Sequence, residues 1–116
     1  NRLRRWLEAE ALSLMQRDLA HYCVRAGLAS PELCLSRAAR RWGSCSSSNI
    51  VRINWRLIMA PDFVRRSVVA HEVAHLVHFD HSARFHALLA DLYEGAIADA
   101  DDWLRAHGRS LYADFG

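Results

Sequence analysis

The sequence predicts a small α+β domain in the order helix, β-hairpin, then three helices. Two observations carry that expectation. Helical 3–4 spacing of apolar residues occurs on both sides of one short stretch that alternates with period two. The chain, 116 residues and 52% hydrophobic, is also long enough to bury a single core without disulfides or structural staples. One domain over residues 1–116 is therefore expected.

In the first helix, Trp6, Leu7, Ala11, Leu14, Met15, Leu19 and Tyr22 form an apolar stripe that stops near Gly27. Ser30-Pro31 marks a turn, and residues 33–40 read as a weak strand. Residues 50–56 alternate, with Val51, Ile53 and Trp55 on one face and Arg52, Asn54 and Arg56 on the other. Residues 42–49 between the two strands read as a hairpin or a longer loop. Pro61 suits the first turn of a second helix, in which Phe63, Val64, Ser67, Val68, Ala74 and Val77 keep helical spacing. Ser82 is an N-cap candidate for a third helix that buries Phe85, Leu88, Leu89 and Leu92. A last helix near residues 97–106 ends at Gly108.

Composition excludes several classes. No apolar run approaches the ~18 residues of a membrane span, and no signal peptide opens the chain, so no membrane partner is expected. Three cysteines, Cys23, Cys34 and Cys45, are too few and odd in number for a secreted disulfide framework; a reducing cytoplasm is the default. A net charge of +2 does not by itself point to nucleic acid. All 15 basic residues are Arg, which reads first as composition bias and second as phosphate chemistry.

The chemistry concentrates in one run. Five of the seven histidines lie between His71 and His86, and His71-Glu72-Val73-Ala74-His75 is an H-E-x-x-H motif within the second helix. Residues four apart share a helix face with Cβ atoms about 6 Å apart, so both imidazoles can reach one tetrahedral Zn²⁺. Glu72 is turned by about 100° from His71 and can serve as general base without being a ligand. Apolar flanks at Val68, Val69, Val73 and Ala74 bury this helix, and burying two imidazoles beside a carboxylate costs several kcal/mol unless something compensates.

A catalytic zinc takes three protein ligands and keeps one open position. His81, six residues after His75, is the favoured third ligand, and Glu94 on a later helix is its rival. Because His78 stands where a glycine would ease the turn back to the metal, Asp80 in a left-handed conformation is one route for that turn. Cys45 has no second cysteine at ligand spacing. The strand over residues 50–56 is either an ordinary half-buried strand or an edge that binds extended substrate, with Asn54 on its polar face.

Taken together, Arg41-Trp42-Gly43-Ser44-Cys45, Ile53-Asn54-Trp55-Arg56-Leu57, His71-Glu72-Val73-Ala74-His75-Leu76 and His81-Ser82-x-x-Phe85 resemble the YgjP-like metal-dependent hydrolases, zincin-type proteins related to the SprT-like group. The resemblance spans about residues 3–108. It implies a zincin-like α+β fold, bound Zn²⁺ held by His71, His75 and His81, and Glu72 as general base. It also places Trp42 and Asn54 near the cleft, as candidates for substrate binding. Two positions depart from the family pattern: His86 stands where a Trp is usual and Asp80 where many members have Asn. Members commonly carry a strand-rich region before this part, so the chain is expected to be a C-terminal piece of a longer protein.

The expected function is a zinc-dependent hydrolase, with peptide as the first substrate class. Two alternatives stand beside it. One is hydrolysis of a nucleotide phosphoanhydride gripped by Arg37, Arg40, Arg41, Arg52 and Arg56. The other is a non-catalytic, zinc-stabilised module that docks on DNA.

Overall fold

A computed structural model describes residues 1–113. Helix α1 (Arg2–Ala26) begins at Asn1, whose side-chain oxygen accepts from the Leu3 and Arg4 amides. It ends at Gly27, which takes the left-handed conformation (φ 72°), while the Leu28 amide reaches back 2.8 Å to the Cys23 carbonyl. Ala11, Met15, Leu19 and Tyr22 are buried, as the stripe requires. Trp6 is not: it is 59% exposed. Leu7 lies four residues before Ala11 and shares its face, whereas Trp6, five residues before it, is turned about 140° away.

The sheet departs from the expected two-stranded hairpin. Strands β1 (Glu32–Ser36), β2 (Gly43–Cys45) and β3 (Ile50–Asn54) are ordered β1-β3-β2. β1 runs parallel to β3, with Leu33 opposite Val51, and it is β2 that forms the antiparallel hairpin with β3, with Gly43 opposite Ile53. The segment expected as a loop thus supplies the edge strand. The expected long strand over residues 50–56 occupies the centre, where both of its edges are paired, so it cannot add a substrate strand. It also stops at Asn54, where a 3-10 turn (Trp55–Met59) begins. The alternation therefore breaks: Asn54 and Arg56, expected on the polar face, are buried at 0% and 4% exposure.

Helix α2 (Asp62–Val77) is the centre of the fold. Val64, Val68, Val69, Ala70, Val73 and Ala74 are all buried, and α1, the sheet, α3 (Ala83–Leu92) and α4 (Ile97–His107) all pack against α2. Its ends are less covered than expected, since Phe63 and Val77 are exposed. A buried ion pair ties α1 to α2: Arg65 Nε donates to Asp18 Oδ2 at 2.7 Å, and Arg65 also donates to Asp62. Ser82 caps α3 as expected, accepting from the Phe85 amide. Cys23, Cys34 and Cys45 are free thiols. No described helix is long and apolar enough to cross a membrane.

Val73 is fully buried in the middle of α2. Replacing it with Asp places an unpaired carboxylate in the core at a cost of several kcal/mol, comparable to the whole stability of a small domain. Val73→Asp should abolish the cooperative melting transition in circular dichroism. A wild-type melting curve for that variant would contradict this packing.

Candidate metal centre

His71 and His75 lie one turn apart on the edge of α2 that the other elements leave open, and both are half-buried. The helix gives out at His78, whose amide makes a last bond to the Ala74 carbonyl before its backbone turns extended (φ −126°, ψ 107°). The return toward the helix uses this extended residue. Among the described non-glycine residues only Asn49 has a positive φ, so the left-handed Asp80 expected from the sequence does not form.

This turn brings His81 back onto His75, with the two Nε2 atoms 3.1 Å apart. One nitrogen from each of His71, His75 and His81 falls within 4.8 Å of the others. The outer nitrogens of two rings are engaged elsewhere: His75 Nδ1 lies 3.0 Å from the His78 carbonyl and His71 Nδ1 lies 3.1 Å from Glu72 Oε2. Donation from each Nδ1 leaves Nε2 with its lone pair free, the tautomer a metal ligand needs. Two nitrogens bound to one tetrahedral zinc sit roughly 3.3 Å apart, a spacing the His75–His81 pair matches at 3.1 Å, and three imidazoles are a donor set such an ion takes. His81 is exposed, which leaves one side of the cluster open to solvent.

Phe85, fully buried on α3, forms the floor beneath the cluster. Its ring stacks on His75 with centroids 4.3 Å apart and meets His71 and His81 edge-on at 5.0 and 5.1 Å. Helical periodicity marks Phe85 only as core; its spacing four residues after His81 is the signal that ties it to the site. His86 stacks on His81 more distantly, at 6.3 Å, and stands outside the triad.

Glu72 is buried at 4% exposure, directly under β2. A Cβ on Gly43 would sit 2.9 Å from Glu72 Oε2 and 3.0 Å from Val68, so only glycine allows the strand to come this close. Cys45 shares the cleft, but burial, together with the negative charge of Glu72, pushes its thiol up and keeps it protonated. Trp42 is half-buried on the other side of Gly43 and packs against Tyr112.

Asn54 is placed differently from the expectation. Its amide nitrogen lies within 3.1 Å of the Ala38 and Arg41 carbonyls and the Tyr112 hydroxyl, and its oxygen accepts from the Arg56 amide. A fully buried side chain committed in this way holds the segment leading into β2 and does not face the cleft. Glu94 is likewise engaged away from the triad. It accepts from the Tyr22 hydroxyl at 2.8 Å and from Arg66 Nε at 3.1 Å, and although burial raises its pKa, these donors outweigh it and hold the carboxyl below its usual range.

Two cavities, of about 230 and 390 Å³, meet at Gly43, His71 and Glu72. An α+β fold with histidines of an H-E-x-x-H helix and a third from the following turn, gathered under an edge strand, defines a zincin-like metallopeptidase. The chain belongs to the YgjP-like family, whose metallopeptidase-domain model matches residues 1–107. Its fold is similar to crystal structures of two metallopeptidase zymogens. Abylysin of Pyrococcus abyssi has a TM-score of 0.70 at 16% identity, covering 82% of this chain and 93% of that one. Jannalysin of Methanocaldococcus jannaschii has a TM-score of 0.65 at 13% identity, covering 84% and 96%. Comparison with curated protein sequences gives no match.

His81→Ala should lose metal on dialysis, measured as metal per chain by elemental analysis, and Glu94→Ala should retain it. The opposite pattern would move the third ligand to α3's far end.

Proposed function

We propose that this domain is a zinc-dependent peptidase in which His71, His75 and His81 hold Zn²⁺ and Glu72 is the general base. The observation that carries the reading is the convergence of three histidine nitrogens and one buried carboxylate beneath a strand edge that is unpaired among the described residues. When bound, zinc supplies a Lewis acid for the scissile carbonyl and lowers the pKa of a water toward ~7.

The remaining work falls to the chain. In the β2–β3 hairpin the Asn54 amide donates to the Trp42 carbonyl and the Ser46 amide to the Ile50 carbonyl. Residues 42, 44 and 46 therefore point their backbone groups at β3. Gly43 and Cys45, which alternate with them, direct their N–H and C=O outward from the sheet. An extended peptide can pair with those groups and is laid across Glu72 and the triad. Glu72 accepts a proton from the attacking water and passes it to the leaving amine. Trp42 walls the cleft beside the bound chain, and Asn54 acts indirectly by fixing the strand's approach.

The nucleotide and DNA readings draw less support from the arginines they need. Arg56 is buried over the rings of Trp55 and Tyr112, and Arg37 pairs with Glu8.

Glu72→Gln keeps size and one oxygen but removes the proton acceptor. It should bind zinc at wild-type stoichiometry while casein hydrolysis falls by about 10²–10⁴-fold. Undiminished hydrolysis by the zinc-loaded variant would sink the mechanism, and joint loss of zinc would make Glu72 a ligand instead. Gly43→Ala drives a methyl group onto the Glu72 carboxylate. It should fold and bind metal yet lose at least ~10-fold in rate, since a small misplacement of a catalytic group is costly; a fully active variant would place the base elsewhere.

A further inference from the structure

The smaller cavity lies between α2 and α4, beside the groups the proposed chemistry uses, and its α4 wall has no part in that chemistry. Ile97, Asp101 and Leu104 of α4 recur at spacings of four and three, so they form one stripe. Facing them are Val68 of α2 and the Trp42 indole, with Glu72 and His71 at the mouth. About 230 Å³ is roughly eight water volumes, room for one long side chain.

Three of its features bear on what enters. Apart from His71, two carboxylates and the Ser67 hydroxyl, which is already donated to the Val64 carbonyl, its walls are aliphatic or aromatic. Among the described residues its acidic groups are Glu72 and Asp101, and no arginine lines it. Asp101 is exposed and its carboxylate makes no hydrogen bond or ion pair among the described residues, although its neighbour Asp102 is paired with Arg105. The larger cavity on the other side of Glu72 is less negative, since Arg41 lines it together with Glu72.

We infer that this cavity is a subsite for a lysine or arginine side chain of the substrate, and that Asp101 selects it. The inference rests on the peptidase reading. A long basic side chain lays its methylene stem along Val68, Ile97 and Leu104, as such side chains do on apolar surface, and carries its charge to the polar rim. The Trp42 face adds a cation–π contact. Asp101 then gains the partner that the chain itself does not provide. Arg41 disfavours the same side chain on the opposite side of Glu72, so the charge asymmetry also sets which way the substrate lies.

The test uses two peptides that differ only in lysine or norleucine at one position next to the scissile bond. The zinc-loaded protein should cleave the lysine peptide with a kcat/KM about 5-fold higher at low salt, the upper range for an exposed ion pair. The ratio should fall toward one at about 1 M salt, where screening acts over ~3 Å. It should also collapse in Asp101→Asn, and Asp101→Lys should turn the preference toward glutamate. A second readout does not depend on turnover: calorimetric binding of both peptides to the Glu72→Gln protein, with and without Asp101→Asn. If the wild type cleaves no peptide but Glu72→Gln still binds the lysine peptide more tightly through Asp101, the peptidase reading fails and the subsite stands. Equal lysine-to-norleucine ratios with and without Asp101, or no binding of either peptide, overturn the subsite.

Discussion

The burial of α2 is the constraint on which the rest depends. Val64, Val69, Ala70, Val73 and Ala74 point in directions that together take up most of the helix circumference, and each is fully buried. Such a helix must be covered on nearly every side, and α1, the sheet, α3 and α4 each supply part of the cover. The Asp18–Arg65 pair fixes α1 against it. Because both partners are about 95% buried, that pair contributes more to fixing the position of α1 than to net stability. The edge left uncovered is the one bearing His71 and His75. The candidate metal centre is therefore the seam where four covering elements fail to close, and the helix that bears it is the most constrained element in the domain.

That seam is shaped by two close approaches, each made by a glycine. Gly43 lets β2 descend onto Glu72, and Gly108 lets the end of α4 meet Trp42, where a Cβ would come within 3.0 Å of the indole. The first approach buries the carboxylate and keeps it beside His71. The second presses Trp42 toward the cavity shared by α2 and α4. Neither glycine has a positive φ, so both are needed for the space they leave and not for backbone freedom.

Local chemistry was legible in the sequence and long-range pairing was not. The helices follow 3.6-residue spacing, side chains cap the starts of α1 and α3, and Gly27 and Ser82 mark ends that depend on neighbours a few residues away. The grouping of His71 with His75 is one helical turn, and His81 needs only a short reversal. The strand pairings are of another kind. β2 is Gly-Ser-Cys, with no apolar alternation to announce it, and it becomes a strand because β3 offers a partner edge. β1 pairs in parallel with a strand 18 residues away, Glu32 opposite Ile50, which no local pattern specifies. Asn54 deceived because strand alternation was extended two residues past the point where its own side chain caps a 3-10 turn. Asp101 was invisible for a related reason: a charged residue on a helix reads as solvated until another element is known to face it.

The same Asn54 explains how a residue outside the cleft can govern it. An amide nitrogen has two hydrogens, and three oxygens surround this one, from Ala38, Arg41 and Tyr112. The Tyr112 hydroxyl in turn donates to the Ala38 carbonyl, so the cluster closes on itself. Arg56, capped by Asn54 through its amide, lays its guanidinium 4.4 Å from the centre of the Tyr112 ring. The segment entering β2 is thus clamped between the end of β3 and the turn that follows α4. Since Gly43 follows Arg41 by two residues, displacement of this clamp moves the strand edge over Glu72. The height of that edge decides whether an extended chain and the buried carboxylate can meet. On the proposed mechanism, the position of Glu72 relative to a substrate is accordingly set by a buried amide that touches neither.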